Sequence, residues 1–225
     1  MDSVSRLVKV YERFAAQGEP QDEFLPEEKI YNTRFKSLVG VMLSAQTQDS
    51  RTHRACVQLF EKVHTPQDVI DISLEDLTQL IRPVGMYNTK ARNMKTMAQQ
   101  LVDRHDGQVP DNRKDLMALQ GIGRKSTDIM MRFVFGEAAI AVDTHVHRLC
   151  NRLGVVETKV YDKTAEILAA HTPDQYRWRA HEWLIEHGKL VCKSRKPQCA
   201  SCMLRDLCDH DKKMQTALAQ PVVTG

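Results

Sequence analysis

Apolar residues recur along this chain at intervals of three and four, the spacing of one helix face, while strand-like alternation is nearly absent. Val4, Leu7, Val8, Tyr11 and Phe14 form a first stripe, closed at Gly18. Tyr31, Phe35, Leu38, Val39, Met42 and Ala45 form a second, and Ala55, Cys56, Leu59, Phe60 and Val63 a third with Asp49 as its expected N-cap. Pro66 in "HTPQD" suits a first helical position, and "SLED" offers Ser73 with Asp76 as a capping-box-like start. Ala91, Met94, Met97, Ala98, Leu101 and Val102 predict a longer helix after Asn88. Further helices are expected over 113–119, 124–135, 144–153, 159–170 and 174–191. The predicted fold is all-α, roughly ten helices joined by short loops. No internal repeat is visible, and only the tail over 213–225 is expected to be flexible.

Composition narrows this picture. With 225 residues, 42% hydrophobic and 27% charged, the chain has material for one large or two modest cores and is not biased toward disorder. A net charge of +3 is too mild to indicate a polyanion partner unless it is concentrated on one face. It is partly concentrated: Lys189, Lys193, Arg195, Lys196, Arg205, Lys212 and Lys213 face only Asp206, Asp209 and Asp211 in the same stretch. No run approaches the roughly 20 apolar residues that span a bilayer. The first residues lack a signal-peptide apolar core, so an intracellular protein with no membrane partner is expected.

The cysteines divide into two kinds. Cys56 and Cys150 fall inside apolar stripes and read as core residues. Cys192, Cys199, Cys202 and Cys208 share "CKSRKPQCASCMLRDLC", spaced C-x6-C-x2-C-x5-C. That is too compact for a comfortable disulfide pair, and points to metal. Zinc on four thiolates competes with an iron-sulfur cluster, but zinc sites usually pair two close knuckles and only one is present. A [4Fe-4S] cluster, which accepts thiolates from one winding loop, suits the spacing better. Between the first two ligands lies "KSRKPQ", where Lys193, Arg195 and Lys196 form a candidate phosphate-contacting surface ordered in advance by the metal; a solvated charged loop is the plainer alternative.

"LQGIGRKS" brings a Gly-x-Gly turn and a lysine together at a helix start. A nucleotide-binding P-loop would need four residues between its glycines, a Gly before the Lys and a preceding strand, and all three are missing. Helix, turn, helix is present instead. Such a hairpin offers the backbone N–H groups of Gly121 and Gly123 to a phosphate without reading bases, although a plain structural turn would look similar. Lys125, in the first turn beside Arg124, faces the positive end of the helix dipole, which favours the neutral amine. Lowering a lysine from ~10.4 toward ~7–8 makes it a usable nucleophile; a lysine reaching a nearby phosphate is the alternative. Asp143 in "AVDTHVHRLCNR" reads by default as an N-cap, and a carboxylate there can also move a proton or stabilise a developing cation.

Taken together, "LQGIGRKSTDIMMRFVFG", "AVDTHVHRLCNR" and the four-cysteine spacing closely resemble the endonuclease III family of helix-hairpin-helix DNA glycosylases and abasic-site lyases, from about residue 20 to 210. The resemblance implies a monomer of two helical domains flanking a cleft that takes damaged duplex DNA. One is a six-helix domain with the hairpin over 27–137; the other, over 1–26 and 138–212, carries one [4Fe-4S] cluster. It implies that Lys125 attacks C1′ of a flipped nucleotide bearing an oxidised pyrimidine, expels the base and leaves an imine, after which β-elimination cuts the strand. Asp143 is then the acidic partner, Gly121, Gly123, Arg124, Lys193, Arg195 and Lys196 are DNA contacts, Gln46 of "LSAQTQD" fills the hole left by the flipped base, and Val84 and Met86 of "RPVGMYNTK" wedge the opposite strand. Related mismatch adenine glycosylases usually carry Ser at the lysine position, so Lys125 argues against that activity. Gln120, where the family usually has Pro, is expected to loosen the start of the turn; His147, where an aromatic or apolar residue is common, bears with Met86 on substrate range. The competing functions are a same-fold glycosylase for mismatched or photodimerised pyrimidines, a non-catalytic damaged-DNA binder, and a small redox protein.

Overall fold

The computed structural model describes residues 1–18 and 30–211. The expected tail over 213–225, Lys212, Lys213 and the expected domain border at 26/27 lie outside the described residues. In chain order the α-helices are α1 (Ser3–Gln17), α2 (Arg34–Ser44), α3 (Asp49–Phe60), α4 (Pro66–Asp71), α5 (Leu74–Leu80), α6 (Tyr87–His105), α7 (Arg113–Ala118), α8 (Arg124–Phe133), α9 (Thr144–Leu153), α10 (Tyr161–His171) and α11 (Asp174–Leu190). Two 3-10 turns follow, Cys199–Ser201 and Arg205–Leu207. The fold is all-α, and among the described residues no helix is long and apolar enough to cross a membrane. The chain divides into two compact units, Met1–Phe24 with Ala138–Gly225, and Leu25–Glu137.

In the continuous unit, helix starts follow local chemistry. Thr65 and Asp68 form a full capping box with Pro66 in the first turn, and the Ser73 hydroxyl accepts from the Asp76 amide. Two starts differ from expectation. Asp49 is the first residue of α3 rather than its N-cap, where it still complements the helix dipole, and Gln48 caps without a side-chain bond. α6 begins at Tyr87, because Met86 adopts a left-handed conformation (φ 53°) that cannot continue a helix. The unit holds seven described α-helices rather than six, since extended Ile72 and the Ser73 cap separate α4 from α5. Its centre is α6, whose Ala91, Met94, Met97, Ala98 and Leu101 are wholly buried and which packs on α2, α4 and α5. α8 packs on α2 and α7.

In the discontinuous unit, α9 packs on α10 and α11, and α1 returns across the sequence to α11. Tyr11 stacks on Tyr176 at 5.6 Å and Phe14 on Trp183 at 6.2 Å. The Trp183 indole N–H donates to the Gly18 carbonyl at 3.2 Å, closing the end of α1. Leu204, which caps the last 3-10 turn, and Leu207, which ends it, are the final contributions to this core.

Candidate nucleic-acid interface and active site

The hairpin turn is rigid for reasons visible residue by residue. Leu119 ends α7, and the Ile122 amide folds back to its carbonyl at 3.1 Å. Gly121 has φ +81°, and an added Cβ there would meet Met42 Cε at 3.1 Å and Asn93 at 3.2 Å. It is glycine for two internal reasons, conformation and close packing. Gly123 has neither: its backbone is extended and an added Cβ would meet nothing within 4 Å. It caps α8 without a side-chain bond, leaving helix-terminal amides to an outside acceptor. Gln120 braces the turn instead of loosening it. Its amide, which proline would lack, donates to Gln100 Oε1 at 2.7 Å, and its side chain reaches Asn93 Oδ1 at 3.3 Å.

Lys125 stands exposed one residue inside α8. Arg124, half-buried, has its Nε 3.8 Å from Asp128 Oδ2, and buried Asp128 is also paired with Arg113. The cation beside Lys125 is therefore partly turned toward its own helix.

Gln46 and Met86 lie in neighbouring loops of the same unit. Both are exposed, Met86 by 53%, and both hold positive φ, 52° and 53°. Side chains rarely adopt this conformation unless surroundings enforce it. The Gly85 amide donates to Thr47 Oγ1 at 3.2 Å, tying the loops together, and a Cβ on Gly85 would approach the Gln46 carbonyl oxygen to 3.1 Å. Val84, expected in the wedge, is instead core: it is 2% exposed, packed beneath the loop with its amide bonded to the Ile81 carbonyl. The apolar tip of this loop is Met86.

In the other unit Asp143 caps α9, its Oδ1 accepting from the amides of His145 at 2.8 Å and Val146 at 2.9 Å. His147, one turn on, stacks on Tyr161 at 4.3 Å and bonds Thr164 Oγ1 through Nδ1 at 2.8 Å, so its ring is held like the aromatic it stands in for. Burial lowers its pKa, favouring the neutral imidazole. Further along α9, Arg148 donates to the Cys192 carbonyl at 3.0 Å and the Gly188 carbonyl at 2.7 Å, and Arg152 to the Lys193 carbonyl at 2.8 Å and the Ser194 carbonyl at 3.1 Å. One helix thus carries Asp143 at its start and grips the basic loop with its last turns. On that loop Lys193, Arg195 and Lys196 are all exposed, Lys196 with φ +54°.

The four clustered cysteines line a single small hollow, partly open to solvent, together with Leu149, Arg152 and His187. Among the described residues no three His, Cys, Asp or Glu side chains converge as ligands of one ion, so the thiols share a volume rather than a point. Burial, and then the neighbouring thiolates, raise the pKa of Cys202; burial, Asp211 and those thiolates raise that of Cys199. A positively charged group among the sulfurs would reverse that repulsion. Arg152 Nη1 lies 3.5 Å from Cys192 Sγ, and His187 Nε2 is 3.4 Å from Cys202 Sγ. Cys56 and Cys150 are wholly buried elsewhere, with burial pushing their thiols up to about 11 and about 12, and take no part.

Three functional residues escaped the sequence reading. Lys90, only 5% exposed, continues the apolar stripe of Met94, Met97 and Leu101 at helical spacing; a lysine on that face was the available signal. Arg148 and Arg152 gave no signal, because their partners are backbone carbonyls some forty residues away.

Residues 39–173 match the model of the HhH-GPD superfamily base excision DNA repair proteins. Endonuclease III of Haemophilus influenzae is 40% identical over 185 residues, 82% of this chain and 88% of that protein. A solved structure of a trapped endonuclease III–DNA covalent intermediate is similar with a TM-score of 0.86 and 34% identity, covering 96% of this chain and 100% of that one. A thermostable thymine-DNA glycosylase shares the fold, with a TM-score of 0.76 at 21% identity. The chain belongs to the endonuclease III family of the HhH-GPD superfamily.

Proposed function

We propose that this protein removes oxidised pyrimidines from duplex DNA and then cleaves the abasic site. The observation that carries the reading is Lys125, exposed in the first turn of α8, two residues after the N-cap glycine Gly123, whose side-chain space is empty. A phosphate that docks on the turn amides brings its own nucleotide sugar toward that amine. The Lys125 nitrogen lone pair forms a bond to C1′, the glycosidic bond breaks, and the base leaves with a proton. Loss of the amine's remaining proton with opening of the sugar gives the imine. That imine acidifies the neighbouring C2′–H, and elimination expels the 3′ phosphate; water as nucleophile could not make this second step easy. Asp143 acts as the carboxylate partner through Oδ2, since its Oδ1 is committed to two amides.

Gln46 enters the hole left by the extruded nucleotide, and Met86 rather than Val84 wedges the opposite strand. Gly121, Gly123 and Arg124 on the hairpin, and Lys193, Arg195 and Lys196 on the cysteine loop, hold phosphates on the damaged strand's flanks. Cys192, Cys199, Cys202 and Cys208 hold one [4Fe-4S] cluster. The fit rests on four thiols around one hollow, where burial and mutual repulsion disfavour the thiolates until a cationic group joins them. The group supplies iron-thiolate bonds that tie four points of the segment together and has no part in the reaction steps.

Borohydride trapping tests the reading, using one duplex with a single oxidised thymine and one with an abasic site. Wild type forms a covalent adduct with both, and Lys125→Ala forms none. Asp143→Asn, which keeps the capping oxygen, retains DNA binding but loses at least about a hundredfold in rate. Tight binding without any adduct would leave a non-catalytic damaged-DNA binder as the better reading.

A further inference from the structure

We infer that Lys90 is a positioning residue for base extrusion: its buried ammonium holds the Gln46 loop and the Met86 loop in the conformations that enter the DNA. Its Nζ donates to the Leu43 carbonyl at 2.7 Å, the Ala45 carbonyl at 2.6 Å and Thr47 Oγ1 at 2.9 Å. The first two are carbonyls at the end of α2, which the helix itself cannot satisfy. The third is the same hydroxyl that accepts from the Gly85 amide. Three N–H donors therefore meet three oxygens, and one of those oxygens is the joint between the two loops. Gln46 sits between two of the bonded positions, Ala45 and Thr47, and Met86 follows Gly85 directly. Both loop residues hold positive φ without being glycine, a conformation the flanking bonds over-determine.

A lysine is costly at this place. It is 5% exposed on the core stripe of α6, and burial lowers its pKa to about 8. A helix end that only needed capping could be wetted or bonded by a short polar residue. What an ammonium adds is three simultaneous, charge-assisted bonds from one point, which fixes the carbonyls and the hydroxyl relative to one another. A loop that must push into a base stack gains from being rigid before it arrives, because any ordering left until then opposes extrusion.

This inference rests on the reading of Gln46 and Met86 as the residues that enter the duplex, and the test separates the two. A duplex carries 2-aminopurine opposite the lesion, so that unstacking appears as a rise in fluorescence, and single-turnover excision is followed in parallel on duplex and single-stranded substrates. Lys90→Met is expected to lower the amplitude of the fluorescence rise and slow duplex excision about tenfold, with a much smaller effect on single strands, where nothing is extruded from a stack. Lys90→Arg restores part of the loss. Thr47→Val, which removes one oxygen and leaves the lysine, gives a smaller loss in the same direction and serves if Lys90→Met does not fold. If Gln46→Ala with Met86→Ala leaves extrusion intact, the underlying reading falls. If that pair abolishes extrusion while Lys90→Met and Thr47→Val match wild type, or slow single-strand and duplex reactions equally, the positioning role of Lys90 alone is overturned.

Discussion

The hairpin turn around Gly121–Gly123 and the loop between Cys192 and Cys199 both present positive potential on a fixed curve of backbone, and they are fixed in opposite ways. The turn is held from below: Met42 and Asn93 crowd Gly121, Gln100 bonds the Gln120 amide, and α8 packs back on α7 and on α2. The loop has little beneath it. Lys193, Ser194, Arg195 and Lys196 are exposed, and the segment from Cys199 to Cys208 holds two single 3-10 turns, with Leu204 and Leu207 as its buried apolar anchors. Its order comes from the arginines of α9 above and, on the proposed reading, from a cluster bound by its four thiols. A surface built on a core is as stable as the unit that carries it, whereas one built on pins and metal stands or falls with those pins.

The largest way to break this comparison is Cys202→Ser. Removing one thiolate of four is expected to release iron and raise amide hydrogen exchange over residues 192–211 by about a hundredfold, with duplex affinity falling in step. Exchange across α6 to α8 in the same full-length protein stays near its wild-type rate. Equal loss in both regions would mean that the units do not owe their order to separate causes.

A smaller effect sharpens the contrast within the turn itself. Gly121→Ala places a side chain at φ +81° against Met42 and Asn93, and is expected to destabilise the protein by about 1–2 kcal/mol in denaturant unfolding. Gly123→Ala meets no neighbour within 4 Å in extended backbone, so stability changes by no more than a few tenths to about 1 kcal/mol. Its duplex affinity nonetheless falls about tenfold, because the methyl occupies the space a phosphate needs. Two glycines two positions apart would then separate a folding requirement from a binding one.

The helices were legible because burial and period coincide: the stripes at 4–14, 35–45 and 91–101 supply much of the observed core. The hairpin, the Asp143 cap and the cysteine cluster were legible because each depends on residues close in sequence. Val84 was misread since a short loop sequence does not say which of two apolar residues turns inward. The start of α6 was placed late because the left-handed Met86 follows Gly85, whose amide is tied to Thr47 some forty residues back in sequence, a bond no local pattern shows. The arginine pins on the cysteine loop were invisible for the same reason.

Acid offers the mildest test of how the cysteine segment is held. Arg13 of α1 bonds Asp206 with both guanidinium nitrogens and also bonds the Met203 carbonyl, and this ion pair lowers the Asp206 carboxyl from 3.8 to about 2. In the unfolded chain the carboxyl takes up its proton near 3.8, while in the folded protein it does so only near 2. The pair's contribution is therefore fully present above 3.8 and is lost as pH falls through about 2. Asp206 is 66% exposed, so water and salt screen the attraction and the effect is small. Arg13→Met is expected to lower the melting temperature by roughly 1 °C at pH 6 in low salt, with the difference from wild type narrowing in 0.5 M salt or toward pH 2. A difference unchanged by salt and acid would show that Arg13 acts through its packing and its bond to the Met203 carbonyl, and that the segment is pinned by backbone contacts at this end as it is by Arg148 and Arg152 at the other.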